Sequence, residues 1–269
     1  MVFFIPSKMG NRPIGIFDSG VGGLTVWREF VKALPKEDVI YYADSVNCPY
    51  GPKSQQEIIK IVDEVVQFLL AKNVKMIIVA CNTATAAAID YLRFTYPIPF
   101  IGMEPAVKPA ALNSKTKSIA VLATEGTFNG KLYLETKNKF ASDVEVHIKV
   151  GDKLVDIVEN NKIYNPETAL HIEELMAPLI KRNIDHLVLG CTHYPFLLEI
   201  LQQVLPPEVK IIDPAPAVIK QAAKVLTENK LLRTENEKPE YEFYSSGNSE
   251  ILKSFVFKIT KINYKIQTA

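Results

Sequence analysis

Short apolar runs alternate with amphipathic stretches along most of the chain. The runs are short and several are rich in Val and Ile, which is typical of buried parallel strands. We predict strands at residues 14–17, 39–43, 76–80, 118–122, 144–150, 186–189 and 209–212. Helix-start signals lie between them, including a capping box at Ser54 and the pair Asn165-Pro166. This alternation predicts an α/β fold with mainly parallel sheets.

The pattern repeats once along the chain. Three segments resemble a downstream partner: 14–20 with 119–125, 76–82 with 186–192, and 104–106 with 213–215. The offsets are 105, 110 and 109 residues, and three matches in order predict two similar halves. We expect the C-terminal tail to pack on the first half. The predicted domains are then residues 12–105 plus about 215–269, and residues 106–214.

Composition limits the classes of protein that fit. Hydrophobic residues make up 48% and charged residues 23% of the 269 positions, as in globular proteins. The net charge of +1 gives no nucleic-acid footprint. The longest uncharged run, residues 76–89, is too short and too polar to span a membrane, and residues 1–6 lack the basic start of a signal peptide. Three cysteines make no disulfide framework, so we expect reduced thiols and a cytoplasmic protein.

Two cysteines lie at equivalent points of the repeat. Cys81 and Cys191 each follow a buried-strand pattern, where ligands of α/β sheets bind. We expect helices to begin there, capped by Asn82 or Thr83 after the first cysteine and by Thr192 after the second. His193 can stabilise a thiolate or pass a proton. A single cysteine at a strand end is as often a small buried hydrophobe, but two at equivalent positions favour a functional role.

Other chemistry is less well supported. Metal binding is a weaker alternative, because the chain has no CxxC or HxxxH pattern and only four histidines. We interpret Cys48, in a turn-like NCPYG segment, as a structural residue. Residues 18–23 (DSGVGG) match neither the dinucleotide fingerprint nor the Walker pattern. They offer a carboxylate, a hydroxyl and backbone N–H groups, or alternatively a tight turn with Asp18 as its cap.

A site between two halves can present one thiol to each face of a small ligand. One thiolate then removes the α-proton of an amino acid, and the opposite thiol delivers a proton to the other face. The intermediate carbanion lies next to a carboxylate, so hydrogen-bond donors must stabilise its charge. Candidate donors are Ser19, Asn82, Thr83, Thr192 and the N–H groups of helix starts.

Four motifs occur in order along the chain: residues 15–25 (GIFDSGVGGLT), 49–51 (PYG), 80–84 (ACNTA) and 189–195 (LGCTHYP). They resemble the glutamate racemases of the cofactor-independent aspartate/glutamate racemase superfamily. The resemblance implies two pseudo-twofold-related α/β domains with the active site between them. It implies interconversion of L- and D-glutamate without pyridoxal phosphate or metal, association as a homodimer, and supply of D-glutamate for bacterial peptidoglycan.

The resemblance also implies residue roles. Cys81 and Cys191 are the two acid/base residues, and the handedness of the family assigns Cys81 to D-glutamate and Cys191 to L-glutamate. Asp18 and His193 assist the thiols or contact the substrate amine. The implied substrate-binding residues are Asp18, Ser19, Tyr50, Gly51, Asn82, Thr83, Thr192 and His193.

Glu159 matches a glutamate that can assist catalysis, but its context differs from the family pattern. Many members have Ala-Cys-Pro leading into Val-Pro-Leu-Val-Glu, where residues 150–159 of this chain read VGDKLVDIVE. The alternative is that Glu159 is a solvated helix residue.

Three other functions remain open from the sequence. The nearest is an aspartate racemase or another amino-acid racemase of the superfamily, because the sequence does not give the length of the pocket. A hydrolase or lyase would use one cysteine as a nucleophile and form a covalent intermediate. A non-catalytic amino-acid-binding protein would keep the hydroxyls and helix starts. Neither of the last two needs both thiols, so substitution of each cysteine separates them from a racemase.

Overall fold

The structure is a computed structural model, and it describes residues 10–234, 237–260 and 264–269. Residues 1–6, which we predicted not to be a signal peptide, lie outside the described residues. The strands are β1 (Ile14–Asp18), β2 (Val39–Ala43), β3 (Met76–Val79), β4 (Phe100–Gly102), β5 (Ser118–Ala123), β6 (Glu145–Val150), β7 (His186–Gly190), β8 (Lys210–Ile212), β9 (Tyr241–Ser245) and β10 (Lys265–Thr268). The α-helices are α1 (Leu24–Ala33), α2 (Gln55–Ala71), α3 (Asn82–Thr95), α4 (Val107–Asn113), α5 (Glu125–Phe128), α6 (Lys131–Phe140), α7 (Leu154–Glu159), α8 (Pro166–Ile180), α9 (Leu198–Val204), α10 (Ala215–Glu228) and α11 (Ser249–Ile259).

The strands form two sheets with the same internal order. One sheet has the order β10-β9-β2-β1-β3-β4, and the other has β6-β5-β7-β8. The first therefore contains β2-β1-β3-β4, which matches the whole of the second. Every strand pairing in the described parts of the chain is parallel. The α/β class, the mainly parallel sheets and the internal repeat are confirmed.

The predicted strands all form, with ends within one residue of the prediction. The central strands β1, β3, β5 and β7 are buried along their whole length. Helices cover both faces of such a sheet, so its strands are apolar throughout instead of alternating. β4 and β10 were not predicted. The tail strand β9 pairs with β2, so the tail packs on the first half, as expected. The domain boundaries stay a prediction.

The topology places ligand-binding positions at one edge of each sheet. The chain leaves β1 toward β2 on one side and returns toward β3 on the other, which makes a switch point between β1 and β3. A crevice opens beyond the carboxyl ends of strands at such a point. The same holds for β5 and β7. One core cluster contains side chains from both sheets, including Ile16 of β1 and Leu189 of β7. Among the described residues, no helix is both long and apolar enough to cross a membrane.

Candidate active site

The turn after β1 is closed by Asp18. Its Oδ2 accepts hydrogen bonds from the N–H groups of Gly20 at 3.2 Å and Gly23 at 3.0 Å. Its Oδ1 accepts the hydroxyl of Thr192 at 3.2 Å. Burial raises the pKa of Asp18, and the charge of His193 opposes the rise. Asp18 therefore shapes its own turn and also ties it to the segment after β7.

Cys81 is the N-cap of α3. Its Sγ accepts the N–H of Ala84 at 3.4 Å, and its thiol donates to Ser19 Oγ at 3.9 Å. The prediction that Asn82 or Thr83 caps this helix is wrong, because these are the first two helical residues. Burial raises the pKa of Cys81, and the negative charge of Asp18 adds to the rise. The Cys81 thiol thus holds its proton more firmly than a free cysteine.

The first residues of α3 present polar groups beside Cys81. The side chain of Asn82 is buried, and neither of its polar atoms has a hydrogen-bond partner within the described residues. A buried amide without a partner is unfavourable, so this side chain suits a bound ligand. Thr83 Oγ1 lies 2.7 Å from Thr124 Oγ1, just after β5. Thr124 was not predicted, although the repeat aligns it with Ser19 at the offset of 105.

The chain turns differently after β7. The prediction that Thr192 caps a helix is wrong: a short 3₁₀ turn, Tyr194–Leu197, follows, with His193 before it. The Thr192 hydroxyl bonds to Asp18 instead, which keeps it in the site. Cys191 Sγ lies 3.7 Å from His193 Nδ1. This turn folds the imidazole back onto the thiol two residues earlier.

Glu159 holds the other side of His193. The His193 Nε2 to Glu159 Oε1 distance is 2.6 Å, and the same oxygen accepts the N–H of Val21 at 2.7 Å. The Glu159 side chain is only 15% exposed, so it is not a solvated helix residue. Burial works to lower the pKa of His193, but its hydrogen bonds with Cys191, Cys48 and Glu159 outweigh burial and hold that pKa well above its usual range. A protonated imidazole beside a thiol favours the thiolate.

Two glycines permit this close approach. A Cβ at Gly20 would collide with the carboxylate of Glu159, and a Cβ at Gly22 would collide with the ring of His193. The glycine-rich turn after β1 therefore makes room for side chains that come from α7 and from the segment after β7. The close approach of these side chains accounts for glycine at both positions, so a phosphate-binding role is not needed to explain them.

The PYG segment and Cys48 approach the site from the loop after β2. Tyr50 and Gly51 line the cavity, and the Tyr50 hydroxyl donates to the carboxylate of Asp44 at 2.6 Å. The Cys48 thiol lies within 4.8 Å of a ring nitrogen of His193. This contact was not predicted, because Cys48 has no counterpart in the second half and lies far from His193 along the chain.

A narrow cavity between the two sheets brings the predicted residues together. Its lining residues are Ser19, Pro49, Tyr50, Gly51, Cys81, Asn82, Thr83, Thr124, Val155, Cys191, Thr192 and His193. Asp18 and Glu159 lie behind this lining, bonded to Thr192 and His193. The cavity volume is about 10 Å³, room for about one water molecule. An amino acid is much larger, so binding requires the lining elements to separate.

Comparisons with known proteins agree on one family. The profile of the Asp/Glu/Hydantoin racemase family matches residues 14–222. The chain is 41% identical over 240 residues to a glutamate racemase of Herpetosiphon aurantiacus, covering 89% of this chain and 94% of that protein. It resembles the crystal structure of glutamate racemase isoform RacE1 from Bacillus anthracis, with a TM-score of 0.88, 32% identity, and coverage of 97% and 98%. Glutamate racemase of Francisella tularensis, solved in complex with D-glutamate, gives a TM-score of 0.83, 34% identity, and coverage of 97% and 98%.

Proposed function

The chain belongs to the Asp/Glu/Hydantoin racemase family and, within it, to the glutamate racemases; from that premise we propose that Cys81 and Cys191 interconvert L- and D-glutamate by two-base proton transfer. The observation that carries the proposal is that both thiols line one cavity, at the ends of equivalent strands of the two sheets. This is the arrangement needed to reach both faces of one carbon atom.

The proton transfer needs no other reactant. With L-glutamate bound, the Cys191 thiolate removes the α-proton, and the electron pair of the broken C–H bond remains on the substrate carbanion. The Cys81 thiol then donates its proton to the opposite face, which forms D-glutamate and leaves a Cys81 thiolate. With D-glutamate the steps run in reverse. We propose that neither pyridoxal phosphate nor a metal ion takes part.

The carbanion is the high-energy species, and the polar groups around the cavity are suited to stabilise it. Fixed donors aimed at developing charge provide a large share of enzymatic rate enhancement. The unpartnered amide of Asn82 and the hydroxyls of Ser19, Thr83 and Thr192 can donate to the substrate carboxylates. We propose that Tyr50 and Gly51 complete the binding surface.

Three further residues act on the thiols or on the substrate amine. We propose that His193, protonated and hydrogen-bonded to Glu159, stabilises the Cys191 thiolate. We propose that Asp18 orients Thr192, holds the proton on Cys81 and contacts the substrate ammonium group.

The narrow cavity must open for substrate to enter, and the division of the chain into domains suggests how. We propose two domains, residues 12–105 plus about 215–269, and residues 106–214, which separate to admit glutamate. The membership of β9 and β10 in the first sheet supports this division. We also propose a homodimer, which sedimentation equilibrium tests directly.

The cellular role follows from the product. We propose a cytoplasmic enzyme that supplies D-glutamate for bacterial peptidoglycan. Deletion of its gene, in a host without another source of D-glutamate, should make growth depend on added D-glutamate. Growth without the supplement in such a host would contradict this role.

Proton NMR of L-glutamate in D2O, with optical rotation followed in parallel, tests the activity. The purified protein, without added cofactor and with a chelator present, should abolish the α-proton signal and bring the rotation to zero. L-aspartate provides the comparison. Faster reaction of aspartate would assign the enzyme to the aspartate racemases, and no change with either substrate would contradict the proposal.

A further inference from the structure

Cys48, Glu159 and His193 come from three separate parts of the chain and meet at one point. Cys48 lies in the loop after β2, Glu159 at the end of α7, and His193 in the turn after β7. One ligand atom from each side chain lies within 4.8 Å of the other two. We propose that these three residues form a binding site for a soft divalent transition-metal ion such as Zn²⁺, and that the bound ion inhibits the enzyme. The proposal of metal binding is based on this geometry, and the proposal that the ion inhibits racemisation rests on the proposed function.

The three donors are those that Zn²⁺ prefers. Thiolate sulfur binds at about 2.3 Å, imidazole nitrogen at about 2.0 Å and carboxylate oxygen at about 2.0–2.2 Å. In a tetrahedral site these bond lengths place neighbouring ligand atoms about 3.3–3.8 Å apart. The three ligand atoms already lie within 4.8 Å of one another, and His193 Nε2 and Glu159 Oε1, at 2.6 Å, must move apart by about 0.7 Å to admit the ion between them. Three protein ligands leave the fourth position for a water molecule.

The surroundings hold two of the three ligands in place. Glu159 Oε1 accepts the N–H of Val21, an outer hydrogen bond of the kind that orients metal ligands. The ring of His193 is fixed between Glu159 and Cys191. Cys48 is half-buried, so the site lies at the margin of the protein interior.

Binding and catalysis compete for His193. The ion takes the sulfur of Cys48 as thiolate and the nitrogen of His193 as neutral imidazole, so two protons leave while the Glu159 carboxylate binds as an anion. No group is oxidised or reduced. The positive charge that His193 presents to Cys191 at 3.7 Å is therefore lost. Racemisation should therefore stop while the ion is bound.

Cobalt spectroscopy tests the site without using activity. The full-length protein, stripped of metal and kept reduced, is titrated with Co²⁺ and its absorption is recorded. We expect a thiolate-to-cobalt charge-transfer band that disappears in Cys48→Ser and weakens in Glu159→Gln. Cys81→Ser is the matched control, because it removes another thiol of the same cleft, and it should keep the band. Absence of the band in the wild type, its persistence in Cys48→Ser or its loss in Cys81→Ser would overturn the site.

Inhibition is tested with Zn²⁺ during glutamate racemisation. The wild type should be inhibited and then recover on addition of EDTA. Cys48→Ser, compared with its own metal-free rate, should need at least about 100-fold more Zn²⁺, because a lost ligand costs more than the roughly 10–100-fold that a lost outer-shell partner costs. Equal inhibition of both proteins would overturn the inhibitory role. A cobalt band in a protein that does not racemise glutamate would leave the site intact and reject the proposed function.

Discussion

The segments after β3 and β7 begin alike and then differ. Each strand ends in a buried cysteine at an equivalent position of the repeat. After Cys81 a 14-residue helix begins at once, and the N–H of Ala84 points at the sulfur. After Cys191 no α-helix begins until Leu198, and the intervening turn brings the ring of His193 to the sulfur instead.

The two thiols consequently meet different charges. Burial and the nearby charge of Asp18 raise the pKa of Cys81, so its proton is retained. Cys191 faces an imidazole whose hydrogen bonds keep it protonated despite burial. Under the proposed mechanism, the raised pKa of Cys81 suits this thiol to act as the acid when L-glutamate is the substrate. The repeat duplicates the scaffold, and the segment that follows each strand determines the surroundings of its thiol.

Removing either thiol should have the largest effect. We expect Cys81→Ala and Cys191→Ala each to lower racemisation in both directions by about 10²–10⁴-fold or more, because no other group donates or removes the proton on that face. Binding of glutamate, measured by calorimetry, should remain detectable.

Slow solvent exchange should also distinguish the two variants. Cys81→Ala, which keeps the Cys191 base, should exchange the α-proton of L-glutamate in D2O without inversion, and Cys191→Ala should do so with D-glutamate. Near-normal racemisation by either variant would contradict the two-base mechanism.

The next largest effect is expected from substituting the residue two positions after each cysteine, because these residues distinguish the two segments. His193→Asn removes the imidazolium from Cys191, and we expect kcat to fall about 100-fold, as for a misplaced catalytic group. Thr83→Ala is the matched variant at the equivalent position. It removes the hydrogen bond to Thr124, so we expect mainly a higher KM.

Isotope effects sharpen the assignment. The equilibrium constant of a racemisation is one, so kcat/KM must fall equally in both directions. Slower proton removal by Cys191 should increase the α-deuterium isotope effect for L-glutamate in His193→Asn. An equal kcat loss in Thr83→Ala would mean that the two segments do not differ in the way proposed.

Glu159→Gln should have a smaller effect, through His193. Loss of the carboxylate weakens a charge-assisted hydrogen bond to a buried ring, and we expect kcat to fall about tenfold or more. The exposed Asp156 on the same helix provides the control, and Asp156→Asn should leave kcat unchanged. Combined with His193→Asn, Glu159→Gln should add little, because the two residues act as a unit. Additive losses of kcat would mean that Glu159 acts independently of His193.

The pH profile should show the smallest change. The rate should fall at high pH when Cys81 loses its proton, since two thiolates leave no acid. Because the pKa of Cys81 is raised by burial and by Asp18, with the Cys191 charge adding to it, this fall should begin above the ordinary thiol range.

Asp18→Asn removes one negative charge, lowers the pKa of Cys81 and should move the fall to lower pH by about one unit. The same substrate serves for both proteins, so its own ionisation cancels. An unchanged or upward-shifted limb would contradict this account.

Much of the fold could be predicted, because its signals are local. The runs that become β1, β3, β5 and β7 are apolar throughout, and such runs indicate strands covered on both faces. β4 and β10 escaped prediction because β4 directly follows the turn signal Pro97-Ile98-Pro99 and β10 (KIQT) is mostly polar, whereas β8 is as short as β4 and was predicted. Their pairing with neighbouring strands defines them.

The candidate site divides in the same way. The internal repeat identified Cys81 and Cys191 as candidates. The two predicted helix caps were wrong, because the backbone geometry at the start of a helix decides which residue caps it, and residue type is only a preference. Thr124 could have been found through its alignment with Ser19. Cys48 carried no such signal, and the loop after β2 brings its sulfur within 4.8 Å of a ring nitrogen of His193.

By itself the sequence determined the α/β class, the internal repeat and the positions of both thiols at strand ends. Periodicity, start signals and motifs act over a few residues, so they can be read along the chain. The tertiary structure alone decided that Glu159 reaches His193, that Thr192 bonds to Asp18 and that Cys48 joins the cluster. It also decided that the pKa of Cys81 is raised, because burial and the distance between charges exist only once distant segments are packed together.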